Sequence, residues 1–186
     1  MLQAYQRHRY TDLMGEYSAA LYGHSNPSIQ AVIGAVLQDV GLNLGATTGQ
    51  EVRFAKALCQ RFDLERIRFT NSGTEATLHA LAAARAFTGK RKVVVFHGGY
   101  HGGVVGFPGG QPAVNNVDQS DWVMAEYNDV EGAQKAIRGE GVAAVLVEGM
   151  QGAGGCICAT LGFLEGVQEA ASEVSIISVG THLPRG

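Results

Sequence analysis

Two short stretches carry residue types that can do chemistry, Thr70-Asn71-Ser72-Gly73-Thr74-Glu75-Ala76 and Gly98-Gly99-Tyr100-His101-Gly102-Gly103. Around the first, Ile67-Arg68-Phe69 reads as a short strand, and Glu75 to Thr88 reads as an Ala-rich helix closed by Gly89. A strand that turns through Asn-Ser-Gly-Thr into a helix leaves backbone N–H groups free at the positive end of the helix dipole. Such a turn is a seat for phosphate, and Gly73 lets a ligand come close. The second stretch puts an aromatic ring and an imidazole on a glycine-rich loop after the strand Val93-Val94-Val95-Phe96. In a parallel sheet both loops leave the same carboxyl edge, where ligands bind.

Plainer roles exist for the same residues. Ser72 and Glu75 have the spacing of a capping box. Tyr100 stands among glycines without local cover, which suits stacking on a flat ligand. His101 is equally explained by a hydrogen bond to backbone. Glu148 ends an apolar strand at the carboxyl edge, and a carboxylate there needs partners for structure or for function. Cys156 and Cys158 read as small apolar fillers rather than metal ligands, since no second pair accompanies them.

The elements that must position these groups follow from period and caps. Tyr10–Leu13 and Tyr17–Ala19 read as short strands of a small sheet. Asn26-Pro27 starts a helix to about Asp39, with Ile29, Val32, Ile33, Val36 and Leu37 at helical spacing. Thr48 caps a second helix through Phe62. From residue 66 the pattern alternates: strands at 67–70, 93–96, 143–147 and 174–179, with helices at 75–88, 128–137 and 161–173 between them. The strands are near-continuous apolar runs, as in a buried parallel sheet. Residues 97–120 form a long glycine-rich loop, which suggests function or interface. We expect residues 1–45 to be an N-terminal arm with the first helix, and 46–186 to be a partial α/β cofactor-binding domain. The β-α alternation ends abruptly at 180–186, so the architecture reads as truncated.

With 186 residues, 46% hydrophobic and 17% charged, the chain can bury a core and hide area against a partner. A net charge of −3 speaks against nucleic acid or an anionic membrane as partner. An odd count of three cysteines suggests a reducing compartment, and no signal peptide or transmembrane run is read, so the expected location is cytoplasmic.

In the order and spacing of its motifs the chain resembles the class III, fold-type I pyridoxal-phosphate aminotransferases, in the branch around glutamate-1-semialdehyde aminomutase. The resemblance is carried by Gly15–Ala19, Leu21–Pro27, Phe69–Ala76, Ala82–Gly89, Tyr100-His101-Gly102, and Val147-Glu148 before a turn ending at Gly155-Cys156. It implies an α/β fold, a three-layer, mostly parallel fragment of that large domain, and pyridoxal 5'-phosphate as cofactor. It also implies a cofactor site of Ser72, Gly73, Thr74, Tyr100, His101 and Glu148. Gly73 and Thr74 would bind the phosphate, Tyr100 would stack on the pyridine ring, His101 would sit behind or beside it, and Glu148 would lie near its edge.

The departures bear on activity. The family's strand-end Asp is replaced by Gly180-Thr181-His182, and Gly149 stands where Pro usually follows the Glu. None of the four lysines, Lys56, Lys90, Lys92 and Lys135, matches the Schiff-base lysine. Three expectations follow: a cofactor-binding portion unable to transaminate, a hydrolase using Ser72 as nucleophile and His101 as base, or a folded, non-catalytic remnant. A homodimer or higher homo-oligomer that binds a small molecule is expected in any case.

Overall fold

The structure is a computed structural model that describes residues 2–3, 9–17, 19–173 and 177–181. The chain divides into two compact units, Met1–Lys56 and Ala57–Gly186.

In the first unit, β1 (Leu2–Gln3) pairs antiparallel with β2 (Arg9–Tyr10). The expected strands at 10–13 and 17–19 do not form. The Asp12 carboxylate accepts the N–H groups of Met14 and Gly15, and this Asx turn ends the extended chain after Tyr10. Ser18 lies outside the described residues. Helix α1 (Pro27–Asp39) begins as the sequence predicts, with Asn26 Oδ1 accepting from the N–H groups of Ser28 and Ile29. Helix α2 (Gly49–Phe62) has residues in both units, and the Thr48 hydroxyl accepts from Glu51 N–H at 3.4 Å at its start.

The second unit is built on a parallel sheet. Helix α3 (Gly73–Thr88) leads into β3 (Lys92–Phe96), β4 (Trp122–Ala125), α4 (Val130–Ile137) and β5 (Val142–Glu148). A hairpin of β6 (Met150–Gln151) and β7 (Ile157–Cys158), helix α5 (Leu161–Glu173) and β8 (Ile177–Thr181) complete it. The four long strands run parallel in the order β4-β3-β5-β8. Alternation along β3 makes the layers. Val93 and Val95 face Leu81 and Ala84 of α3, with Ala144 and Leu146. Val94 and Phe96 face Ala133, Ile137, Phe163 and Val167 of α4 and α5. A helix layer therefore covers each face, and the β-branched strands are buried on both sides, as in parallel sheets generally.

Several local expectations change. Residues 67–70 form no ladder among the described residues. Strand β4 was not expected; it is short and only Ala125 in it is fully buried. Asp129, not Asn128, caps α4, with its carboxylate accepting Gly132 N–H at 3.1 Å. Asn128 instead takes a positive φ and bonds the Cys158 carbonyl and Thr160 N–H. Strand β8 runs on to Thr181, which pairs with Glu148, beyond the expected end at Val179. Residues 174–176 and 182–186 lie outside the described residues. Cys156 and Cys158 are exposed rather than buried fillers, because the β6–β7 hairpin stands clear of both core clusters.

The 97–120 segment is not an open loop. Val105 and Phe107 are fully buried in the α3-side core, and Phe107 meets Trp122 edge-on at 5.0 Å. The side-chain amide of Asn116 closes the segment by bonding both N–H and C=O of Gly106 at 3.0 Å.

Candidate functional site

Helix α3 starts with Ser72 as its cap, and Glu75 reaches back past Ser72 to Asn71 instead of closing the capping box on Ser72 N–H. Ser72 Oγ accepts Glu75 N–H at 3.2 Å, and Glu75 Oε2 accepts Asn71 N–H at 2.7 Å. This arrangement leaves the N–H groups of Gly73 and Thr74 without acceptors among the described residues. They stand at the positive end of a 16-residue helix.

The Tyr-His-Gly-Gly loop lies directly against this helix start. Gly103 N–H donates to the Thr74 hydroxyl at 3.0 Å. Gly102 has φ +131°, and a Cβ there would lie 2.5 Å from Thr74 Oγ1 and 2.8 Å from Thr74 Cα. Only glycine permits this approach. Gly73, Thr74, Thr77, Tyr100, His101 and Gly102 consequently line one pocket of about 360 Å³. Four of these six, Gly73, Thr74, Tyr100 and His101, are site residues expected from the sequence; Gly102 belongs to the second stretch, and Thr77, buried on α3, is the addition.

Each expected site residue can now be placed. Gly73 and Thr74 supply the free donors, and Ser72 serves them as the cap. Tyr100 lines the pocket and keeps about half of its surface (52%) exposed. His101 is buried, and its imidazole is pushed down to about 4 by loss of water. It is neutral at pH 7, with Phe107 edge-on at 6.3 Å. Glu148 is also buried and does not line the pocket. Its Oε2 accepts Tyr100 N–H at 3.1 Å, and Gly152 N–H donates to the same carboxylate. Burial raises its pKa, and the two N–H donors oppose that rise. Tyr127 hydroxyl donates to the Glu148 carbonyl at 2.6 Å.

Gln151 was missed by the sequence reading. It is 2% exposed, and its side-chain amide donates to the His97 carbonyl at 2.8 Å. Nothing in a lone polar residue after Gly-Met announces such a bond. For a serine nucleophile the arrangement offers little: Ser72 Oγ is held as a cap, and no hydrogen bond joins it to His101 among the described residues. Among the described residues no His, Cys, Asp or Glu cluster could hold a metal, and no helix is long and apolar enough to cross a membrane.

Comparison with known proteins bears on the family and the fold. The family model described as aminotransferase class-III matches residues 1–179. The chain belongs to the class-III aminotransferase family. A β-phenylalanine transaminase of Variovorax paradoxus is 47% identical over 175 residues, covering 92% of this chain and 40% of the relative. A solved β-phenylalanine aminotransferase from that organism superposes with a TM-score of 0.89 at 46% identity, covering 96% of this chain and 42% of the other. A glutamate-1-semialdehyde aminomutase from Pseudomonas aeruginosa PAO1, solved in complex with PMP, superposes at 0.82 with 27% identity, over 95% and 41% of the two chains. The class-III assignment and the α/β, fold-type I fragment stand as expected, and the β-phenylalanine enzyme is more similar than this aminomutase. The chain spans about 40% of the length of the curated relatives it matches.

Proposed function

We propose that this chain is the phosphate- and ring-holding portion of a pyridoxal-phosphate site, in a protein that transfers amino groups. One observation carries the reading: a helix start with two free amides and the half-exposed Tyr100 line one pocket of about 360 Å³. The donor set fits a phosphate dianion. Gly73 and Thr74 N–H would hold the phosphate, with the Thr74 hydroxyl beside them. Tyr100 would cover one face of the ring, and the neutral His101 would wall the pocket without adding charge. When bound, the cofactor supplies the electron sink for amino-group chemistry. The nearer likeness to a β-phenylalanine transaminase supports amino transfer over an aminomutase reaction.

By the same reading the chain alone does not transaminate. Lys92 begins β3, at the end of the strand opposite Tyr100, and donates to the Glu140 carbonyl. Lys90 follows the far end of α3, and Lys135 lies with Lys92 on a separate pocket. Lys56 belongs to the other unit. The cofactor-holding part is residues 46–186, the location is cytoplasmic in keeping with three free cysteines, and the assembly is a homo-oligomer. Support for the last is α1, which buries none of its residues; a monomer in light scattering at high concentration would remove it.

Calorimetric titration of pyridoxal phosphate, with inorganic phosphate as competitor, tests the main reading. Saturable binding that phosphate displaces is expected. Absence of binding, or binding that phosphate does not displace, overturns it.

A further inference from the structure

The loop that carries Tyr100 and His101 is glycine-rich, and several of its backbone bonds stay within the loop and its root on β3. Gly99 N–H donates to the Phe96 carbonyl, His101 N–H to the Val105 carbonyl, and Phe107 N–H to the Gly99 carbonyl. Tyr100 N–H goes elsewhere, across the sheet edge to the Glu148 carboxylate. The His97 carbonyl likewise takes its side-chain donor from Gln151. Both partners are buried, at 7% and 2% exposure. Both come from the segment that leaves β5 and enters the β6–β7 hairpin.

The glycines of the loop are shaped around these two side chains. A Cβ on Gly98, whose φ is +78°, would stand 3.2 Å from Gln151 Oε1. A Cβ on Gly99 would stand 2.9 Å from the Phe96 carbonyl, 3.2 Å from His101 Nε2 and 3.6 Å from Glu148 Oε2. A buried carboxylate and a buried amide are costly unless they are bonded. Here each spends a bond on the backbone of one short segment, 97–100.

We infer that Glu148 and Gln151 are positioning residues, a two-point clamp that sets the height of the Tyr100 ring above the phosphate seat at Gly73 and Thr74. Neither touches the ligand. Glu148 is thereby moved from the ring-edge contact expected from the sequence to a role exerted through the Tyr100 backbone. The inference rests on the cofactor reading above for its ligand, but the clamp itself is a property of the protein alone.

Three variants of the full chain test it: Glu148→Leu, which removes the acceptor at similar volume; Glu148→Gln, which keeps one acceptor oxygen; and Gln151→Met, which removes the amide at similar length. Two readouts are taken, amide hydrogen exchange at Tyr100 and affinity for pyridoxal phosphate and inorganic phosphate separately. Tyr100 N–H has Glu148 as its one acceptor among the described residues, so its exchange reports the clamp without any ligand. In Glu148→Leu we expect exchange at Tyr100 to quicken at least tenfold. Pyridoxal phosphate binding should weaken at least tenfold, and inorganic phosphate binding should stay within twofold. Glu148→Gln should recover most of both losses, and Gln151→Met should reproduce the change in ligand ratio more weakly. Unchanged exchange in Glu148→Leu, equal loss of both ligands, or a Gln variant as impaired as the Leu variant would overturn the clamp. If the wild type binds no pyridoxal phosphate, the proposed function fails while the exchange data still decide the clamp.

Discussion

Helices α1 and α3 start in nearly the same way and come to different ends. Each has a capping side chain that accepts from backbone N–H groups of its first turn, Asn26 in one and Ser72 in the other. Each has apolar residues at helical spacing. Yet α1 buries no residue, whereas α3 buries Thr77, Leu81 and Ala84 against the sheet. The N-terminus of α3 is roofed by Gly102 and Gly103, and it forms a pocket with Tyr100 and His101. A capped helix start is thus only an offer of donors. What makes a site of it is a second loop that the sheet delivers to the same place.

The sharpest way to break this contrast is to put a side chain where the loop meets the helix. Gly102→Ala would place a Cβ 2.5 Å from Thr74 Oγ1 at a positive φ. We expect a loss of about 4 kcal/mol from strain and overpacking together, with loss of phosphate binding. Gly34→Ala in α1 meets nothing within 4 Å and should instead gain up to about 1 kcal/mol. Urea unfolding of both variants checks the pair; similar effects at the two positions would erase the distinction.

His101 gives the next largest effect, through pH. Its folded pKa, about 4, lies below the ordinary 6.5. The unfolded chain therefore takes up a proton that the folded chain refuses as pH falls from 6.5 towards 4. This contribution is complete above pH 6.5 and is lost on acidification, by up to about 3 kcal/mol. Glu148 acts in the opposite sense, since its raised pKa lets the folded state hold a proton at higher pH than the unfolded chain does. His101→Phe should flatten the acid loss of stability in unfolding measured between pH 7 and pH 4. Parallel curves for wild type and variant would show that burial of the imidazole is not what limits acid stability.

Smaller effects sharpen the comparison. Thr74→Val keeps the shape but removes the acceptor for Gly103 N–H. It should cost about 1 kcal/mol and weaken phosphate binding several-fold. Ser72→Ala and Asn26→Ala should each cost about 1 kcal/mol as lost caps, but only Ser72→Ala should also weaken phosphate binding in a titration. Equal effects of the two on phosphate would mean that the seat is not at α3.

Much was legible before any coordinates, and the reasons are local. Asn26-Pro27, Ser72 with Glu75, and Gly89 with its φ of 67° mark helix ends because their bonds are made within a few residues. The runs Val93–Phe96 and Ala143–Val147 announce a buried parallel sheet because both faces are apolar. What failed was where a neighbour decides. Residues 67–70 have the composition of a strand and no ladder, while Trp122–Ala125 gained one from β3. By residue type Asn128 is the expected cap of α4. The hairpin took Asn128 for Cys158 and Thr160, leaving Asp129 for the helix.

The sequence by itself determined most helix ends, the apolar strands and the family, since each is written in residues close together in the chain. Tertiary structure decided the rest. Thr74 meets Gly103 across 29 residues, Glu148 meets Tyr100 across 48, and Gln151 meets His97 across 54. These contacts depend on the strand order β4-β3-β5-β8, which brings the ends of β3 and β5 side by side. No local pattern records which buried carboxylate will face which backbone amide. That pairing is chosen when the sheet assembles and water leaves, because only then must each polar group find a partner.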